Sequence, residues 1–67
     1  MDLKKIGEKV RKLRIEQQLT QEKLAELANI DPKTIIQIEA GKRKNPTMGT
    51  LNKIASSLKV GIETLLN

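Results

Sequence analysis

Residues 19–41 read LTQEKLAELANIDPKTIIQIEAG, and the punctuation of this stretch decides the fold. Leu24, Ala25, Leu27 and Ala28 recur at helical spacing and predict a short helix over roughly 21–28, with these four on its inner face. Ile35 and Ile38 do the same for a helix over roughly 32–40. Only Asn29, Ile30 and Asp31 lie between them. Asparagine accepts the left-handed backbone that so tight a turn demands. Asp31 followed by Pro32 reads as a helix start, the carboxylate satisfying exposed N–H groups and the proline standing where no N–H is needed. Two short helices joined this closely cannot lie antiparallel along their full length, and the small side chain of Ala25 lets the second cross the first at short range. This is a helix-turn-helix.

The same punctuation extends outward. Leu3, Ile6, Val10 and Leu13 mark one face of a helix over roughly 3–17, Leu51, Ile54, Ala55 and Leu58 mark a fourth helix, and Ile62, Leu65 and Leu66 a short fifth. Thr20 and Thr47 are N-cap residues of the same kind as Asp31, and Gly61 is a weaker one. Ahead of these caps stand Leu19, Ile30, Pro46 and Val60, and four residues beyond each cap lie Leu24, Ile35, Leu51 and Leu65. Each pair has the spacing of a hydrophobic staple. No segment alternates apolar and polar residues as a strand would, and repeats, linkers and low-complexity runs are missing. The expected architecture is all-α: a compact five-helix unit spanning 1–67 as one domain.

Composition narrows what such a unit can do. A chain of 67 residues buries only about 60% of its unfolded surface, and here it does so without cysteine or histidine, hence without disulfides, imidazole chemistry or a Cys/His zinc site. The absence of Phe, Tyr and Trp excludes stacking of single-stranded bases on aromatic rings. No apolar run approaches the roughly twenty residues of a membrane helix, so neither a transmembrane segment nor a signal peptide is expected. The eight carboxylates form no clustered pair of the kind an acid–base enzyme needs. The chain is read as a soluble cytoplasmic protein without metal, cofactor, membrane partner or small-molecule substrate. Thirteen Lys and Arg against eight Asp and Glu give a net charge of +5, which suits an anionic partner. The densest basic run, Lys42-Arg43-Lys44, taken alone reads most simply as a solvated loop.

Two charges sit on apolar stripes. Arg14 lies one turn after Val10, and Glu39 one turn after Ile35. Either the two meet as a bidentate pair that orients the third helix, the reading favoured here, or each snorkels to solvent from a helix end.

Leu19 to Asp31, Ile35-Ile36-Gln37-Ile38-Glu39-Ala40-Gly41-Lys42 and Asn45-Pro46 together resemble the lambdoid phage repressor and Cro helix-turn-helix family, also called the XRE family. The resemblance runs from Ile6 to the closing Val60-Gly61-Ile62-Glu63-Thr64-Leu65-Leu66. It implies a lambda-repressor-like five-helix domain that binds double-stranded operator DNA, commonly as a two-fold homodimer, and regulates transcription, most simply as a repressor. It implies an Arg14–Glu39 pair and a third helix lying in the major groove. By the same resemblance Lys33, Thr34 and Gln37 are the base-reading positions, with Ile36 beside them touching a methyl or sugar edge, or simply exposed. Glutamine can bridge adenine N6 and N7, and lysine can donate to guanine O6 and N7. Gln21 and Thr20 at the start of the second helix, and Lys42 and Lys44 after the third, correspond to phosphate contacts.

The chain also departs from the family pattern. Pro32 replaces a residue that is polar in many relatives and leaves only apolar contact there. Thr64 and the lack of aromatics depart from relatives with a Trp in the last helix, so the core is repacked with aliphatics; Ile62 and Leu66 are the candidate dimer surface. The competing reading is a protein-interaction module, coactivator-like or tethering, on the same fold. The basic third helix and loop argue against it.

Overall fold

The computed structural model describes residues 2–67, and its first four helices begin where side chains cap them. They are α1 (Leu3–Glu16), α2 (Gln21–Ala28), α3 (Pro32–Glu39), α4 (Met48–Ser57) and α5 (Ile62–Leu66), with no strand among the described residues. α1 and α3 each stop one residue short of the expected ends. Thr20 Oγ1 accepts the Lys23 N–H at 2.9 Å, Asp31 Oδ1 the Lys33 N–H at 2.8 Å, and Thr47 Oγ1 the Thr50 N–H at 3.1 Å. Each bond satisfies one of the orphan donors of a helix start. Asp2 does the same for α1 through the Lys5 N–H at 3.1 Å, whereas Gly61 opens α5 without a side-chain bond.

The ends of the first four helices share one device. Gln18, Asn29, Gly41 and Lys59 take φ values of 59°, 56°, 69° and 61°. The next residue in each case donates its N–H to a carbonyl five positions back: Leu19 to Arg14, Ile30 to Ala25, Lys42 to Gln37 and Val60 to Ala55, at 2.9–3.0 Å. This is the Schellman closure, which satisfies terminal carbonyls and turns the chain sharply off the helix axis.

α3 packs on both α1 and α2, α2 packs on α4, and α5 bridges α4 to α1. Between them Val10, Leu24, Ile35, Leu51, Ile54, Leu58 and Leu65 lose all or nearly all contact with solvent. Leu13, Leu19, Ile30, Val60 and Ile62 pack against this core from its edge, three of them residues of the expected staples. Gln17 Nε2 donates to the Leu58 carbonyl at 2.7 Å and ties the end of α1 to the end of α4.

Leu27 is not on the inner face of α2; it is 50% exposed. At about 100° per residue, Leu24, Ala28 and Ala25 span one sector, and Leu27 falls outside it by about 60°. A two-turn helix whose neighbours α3 and α4 cover that sector has nothing to place over Leu27. Leu66 likewise stands open at 40% exposure while Leu65 takes the core position of α5.

One contact fixes how α1 meets α3. Gly7 is buried, and a Cβ built on it would lie 2.2 Å from the Ile38 carbonyl oxygen and 2.9 Å from that of Glu39. The two helices cross there nearly backbone to backbone.

Candidate nucleic-acid interface

That crossing sets the pose of α3. Arg14 Nε donates to Glu39 Oε2 at 2.6 Å and Arg14 Nη2 to Glu39 Oε1 at 3.0 Å, a two-point contact between α1 and α3. The side chains are only 12% and 3% exposed, so the pair is largely removed from water. Arg14 Nη1 donates to the Leu19 carbonyl at 2.7 Å and holds the turn that leads into α2. Gln21 Nε2 completes the cluster, donating to Glu39 Oε1 at 3.2 Å. One carboxylate therefore gathers α1, α2 and α3. Three charge-assisted hydrogen bonds reach the carboxylate and a fourth runs from Arg14 to the Leu19 carbonyl, and no buried side-chain polar atom is left unpartnered among the described residues.

Gln21, expected at a phosphate, spends one amide N–H inside the protein, and its amide carries a second. Thr20 acts as the N-cap of α2. The bond from Gln21 could not be read from α2 alone, because Glu39 belongs to another helix.

Ile35 and Ile38 anchor α3 in the core, and the opposite face carries Lys33 and Ile36, both exposed, with Thr34 and Gln37 half-buried beside them. The Lys33 backbone N–H is held by Asp31, which fixes the first turn. Past Gly41 the chain folds back, and Arg43 Nη1 donates to Gln37 Oε1 at 2.9 Å. Lys42, Arg43 and Lys44 are all exposed on this return. Glu39 is paired with Arg14, while Lys33 on α3 and Lys42, Arg43 and Lys44 after it are exposed, with Asp31 at the helix start. Ile62 is half-buried and Leu66 exposed, on α5.

A family model described as a helix-turn-helix domain matches residues 7–67. The chain belongs to the lambda-repressor-like (XRE-type) helix-turn-helix family. It is 42% identical over 60 residues to the uncharacterised HTH-type transcriptional regulator RghRB of Bacillus subtilis, covering 90% of this chain and 43% of that protein. This helix-turn-helix chain thus spans less than half the length of the curated relatives it matches. Among solved structures, the restriction-modification controller C.AhdI of Aeromonas hydrophila superposes with a TM-score of 0.90 at 33% identity, over 96% of each chain. The biofilm master regulator SinR, solved in complex with DNA, superposes with a TM-score of 0.88 at 31% identity, over 92% of this chain and 98% of that one. No helix among the described residues is long and apolar enough to cross a membrane.

Proposed function

We propose that this helix-turn-helix domain binds double-stranded operator DNA sequence-specifically and regulates transcription, as a repressor that occludes its site. The observation that carries the reading is the outer face of α3. A helix held rigidly by two buried isoleucines and the Arg14 cluster turns Lys33, Thr34, Ile36 and Gln37 outward, and Lys42 and Lys44 flank them. A helix is the element that fits the major groove, and cations beside it suit the phosphates on either side. The likeness to a regulator solved on DNA supports the same reading. Thr20, Gln21 and the N–H groups at the start of α2 form the second phosphate contact in this docking. Residues 1–67 act as one unit that covers a half-site. A second copy, joined through Ile62 and Leu66, supplies the other half in the cytoplasm of the bacterium or infected cell, without cofactor, metal or catalytic step.

Two outcomes are expected. Lys33→Ala and Gln37→Ala each cost about 1–3 kcal/mol on the preferred site and relax preference at one base pair. Equal weakening on every sequence would reduce the residue to a phosphate contact, and an unchanged affinity would remove α3 from the groove. Lys42→Ala or Lys44→Ala weakens specific and random duplex alike, and flattens the slope of log affinity against log salt by roughly one unit. Fluorescence anisotropy over a salt series measures both. Binding that ignores salt would instead favour a protein-interaction role.

A further inference from the structure

The contact between Arg43 and Gln37 goes beyond holding a loop. The Schellman turn at Gly41 brings the Lys42 N–H onto the Gln37 carbonyl at 2.9 Å, so the chain doubles back and carries Arg43 alongside the Gln37 side chain. Arg43 Nη1 then reaches Gln37 Oε1 at 2.9 Å. A guanidinium has five N–H donors and no acceptor, so the amide can face it only through its oxygen. The bond is charge-assisted and stronger than a neutral one.

We propose that Arg43 sets the base preference of α3 by occupying the Gln37 oxygen, so that Gln37 enters the groove as a donor and selects guanine rather than adenine. The proposal rests on the reading of α3 as the groove helix. To bridge adenine, a glutamine must accept from the N6 amino group while donating to N7. Arg43 takes one of the two lone pairs of that oxygen, and an adenine amino group seeking the other must come in beside the cationic guanidinium N–H groups, donor against donor. Guanine offers O6 and N7, two acceptors that Gln37 Nε2 can serve. Lys33, one turn earlier on the same face, is also donor-only. Of the carboxylates on and beside α3, Asp31 caps its first turn and Glu39 is turned inward to Arg14. Lys33 and Gln37 thus face the groove as donors, while Thr34 beside them can donate or accept. Arg43 is a positioning residue: it acts on base choice through the amide it holds.

The test is selection of bound sites from a random duplex library by the whole chain, its Gln37→Ala variant, and Arg43→Met, Arg43→Ala and Arg43→Lys. Arg43 is exposed and its recorded side-chain hydrogen bond is to Gln37, so circular dichroism should find all three Arg43 variants folded. The wild type is expected to select guanine at the base pair whose preference Gln37→Ala relaxes. Arg43→Met and Arg43→Ala should move that one position toward adenine by about tenfold in the guanine-to-adenine ratio, leaving other positions unchanged. Arg43→Lys, which keeps a donor for the amide oxygen, should retain guanine. Selection of adenine by the wild type at that pair would overturn the proposal while leaving α3 in the groove. Uniform weakening by Arg43→Ala with unaltered preference would also overturn it and make Arg43 a phosphate contact. If Gln37→Ala relaxes no position, the groove reading itself fails and the role of Arg43 falls with it.

Discussion

Arg14→Ala and Glu39→Ala are each expected to leave a largely unfolded chain near physiological temperature. Removing one member of a desolvated ion pair strands the other charge, which typically costs about 3–5 kcal/mol. A domain of this length holds about 3–10 kcal/mol in total. The two singles should differ in severity. Arg14→Ala leaves the Glu39 carboxylate, 3% exposed, with only the neutral Gln21 amide, and also deprives the Leu19 carbonyl of its donor. Glu39→Ala leaves Arg14 at 12% exposure with the Leu19 carbonyl still in reach. Arg14→Ala should therefore be the worse. Replacing both by apolar residues of similar volume, Arg14→Met with Glu39→Leu, should recover much of the loss, because a buried pair contributes little net stability against a well-packed apolar one. What the double variant should not recover is the pose of α3, and with it base discrimination. Thermal melts by circular dichroism on the two singles and the double decide the stability claim. Small, additive losses would mean that both charges remain solvated and that something else orients α3.

How much of this was legible in the sequence depends on the range over which each feature is encoded. Helix starts were legible because a cap oxygen and the N–H that donates to it lie two or three residues apart: Thr20, Asp31 and Thr47 all cap as their types and positions imply. The left-handed turn at Asn29 followed from residue type. The same turns at Gln18 and Lys59 gave no such sign, since neither residue favours that conformation and the Schellman bonds around them impose it. Leu27 shows the limit of periodicity. Apolar spacing names a helix but cannot say which sector its neighbours will cover. Arg14 and Glu39 were conspicuous because each broke an apolar stripe, whereas Gln21 looked like any polar residue of a first turn. Its part in the cluster arises only once α2 and α3 are folded against each other. The bond from Arg43 to Gln37 was hidden for a related reason: it needs the reversal at Gly41 to bring residues six apart side by side.

Gly7 was the least legible residue and carries the second large effect. In an exposed helix interior, alanine is better than glycine by roughly 0.5–1 kcal/mol, because the unfolded chain has less freedom to lose. Gly49, in the first turn of α4, should follow that rule. A Cβ there meets nothing closer than Thr47 Oγ1 at 3.8 Å, so Gly49→Ala is expected to stabilise by about 0.4–1 kcal/mol. At Gly7 the sign should reverse. The methyl group would stand 2.2 Å from the Ile38 carbonyl oxygen, and that neighbour is helix backbone, which cannot rotate away as a flexible side chain can. α1 and α3 must separate, and the Arg14–Glu39 contact spans the same two helices, with its shorter bond at 2.6 Å. Overpacking alone costs about 1–3 kcal/mol, and loosening the ion pair adds to it, so Gly7→Ala is expected to lose about 3 kcal/mol or more. Its residual folded population should also bind duplex with weakened base preference, because α3 would be displaced relative to α2. Urea unfolding of the two alanine variants against wild type tests both signs at once. If Gly7→Ala matched or exceeded wild type in midpoint, α1 and α3 would have to lie farther apart than their carbonyl contacts require, and the backbone crossing would no longer explain the pose of α3.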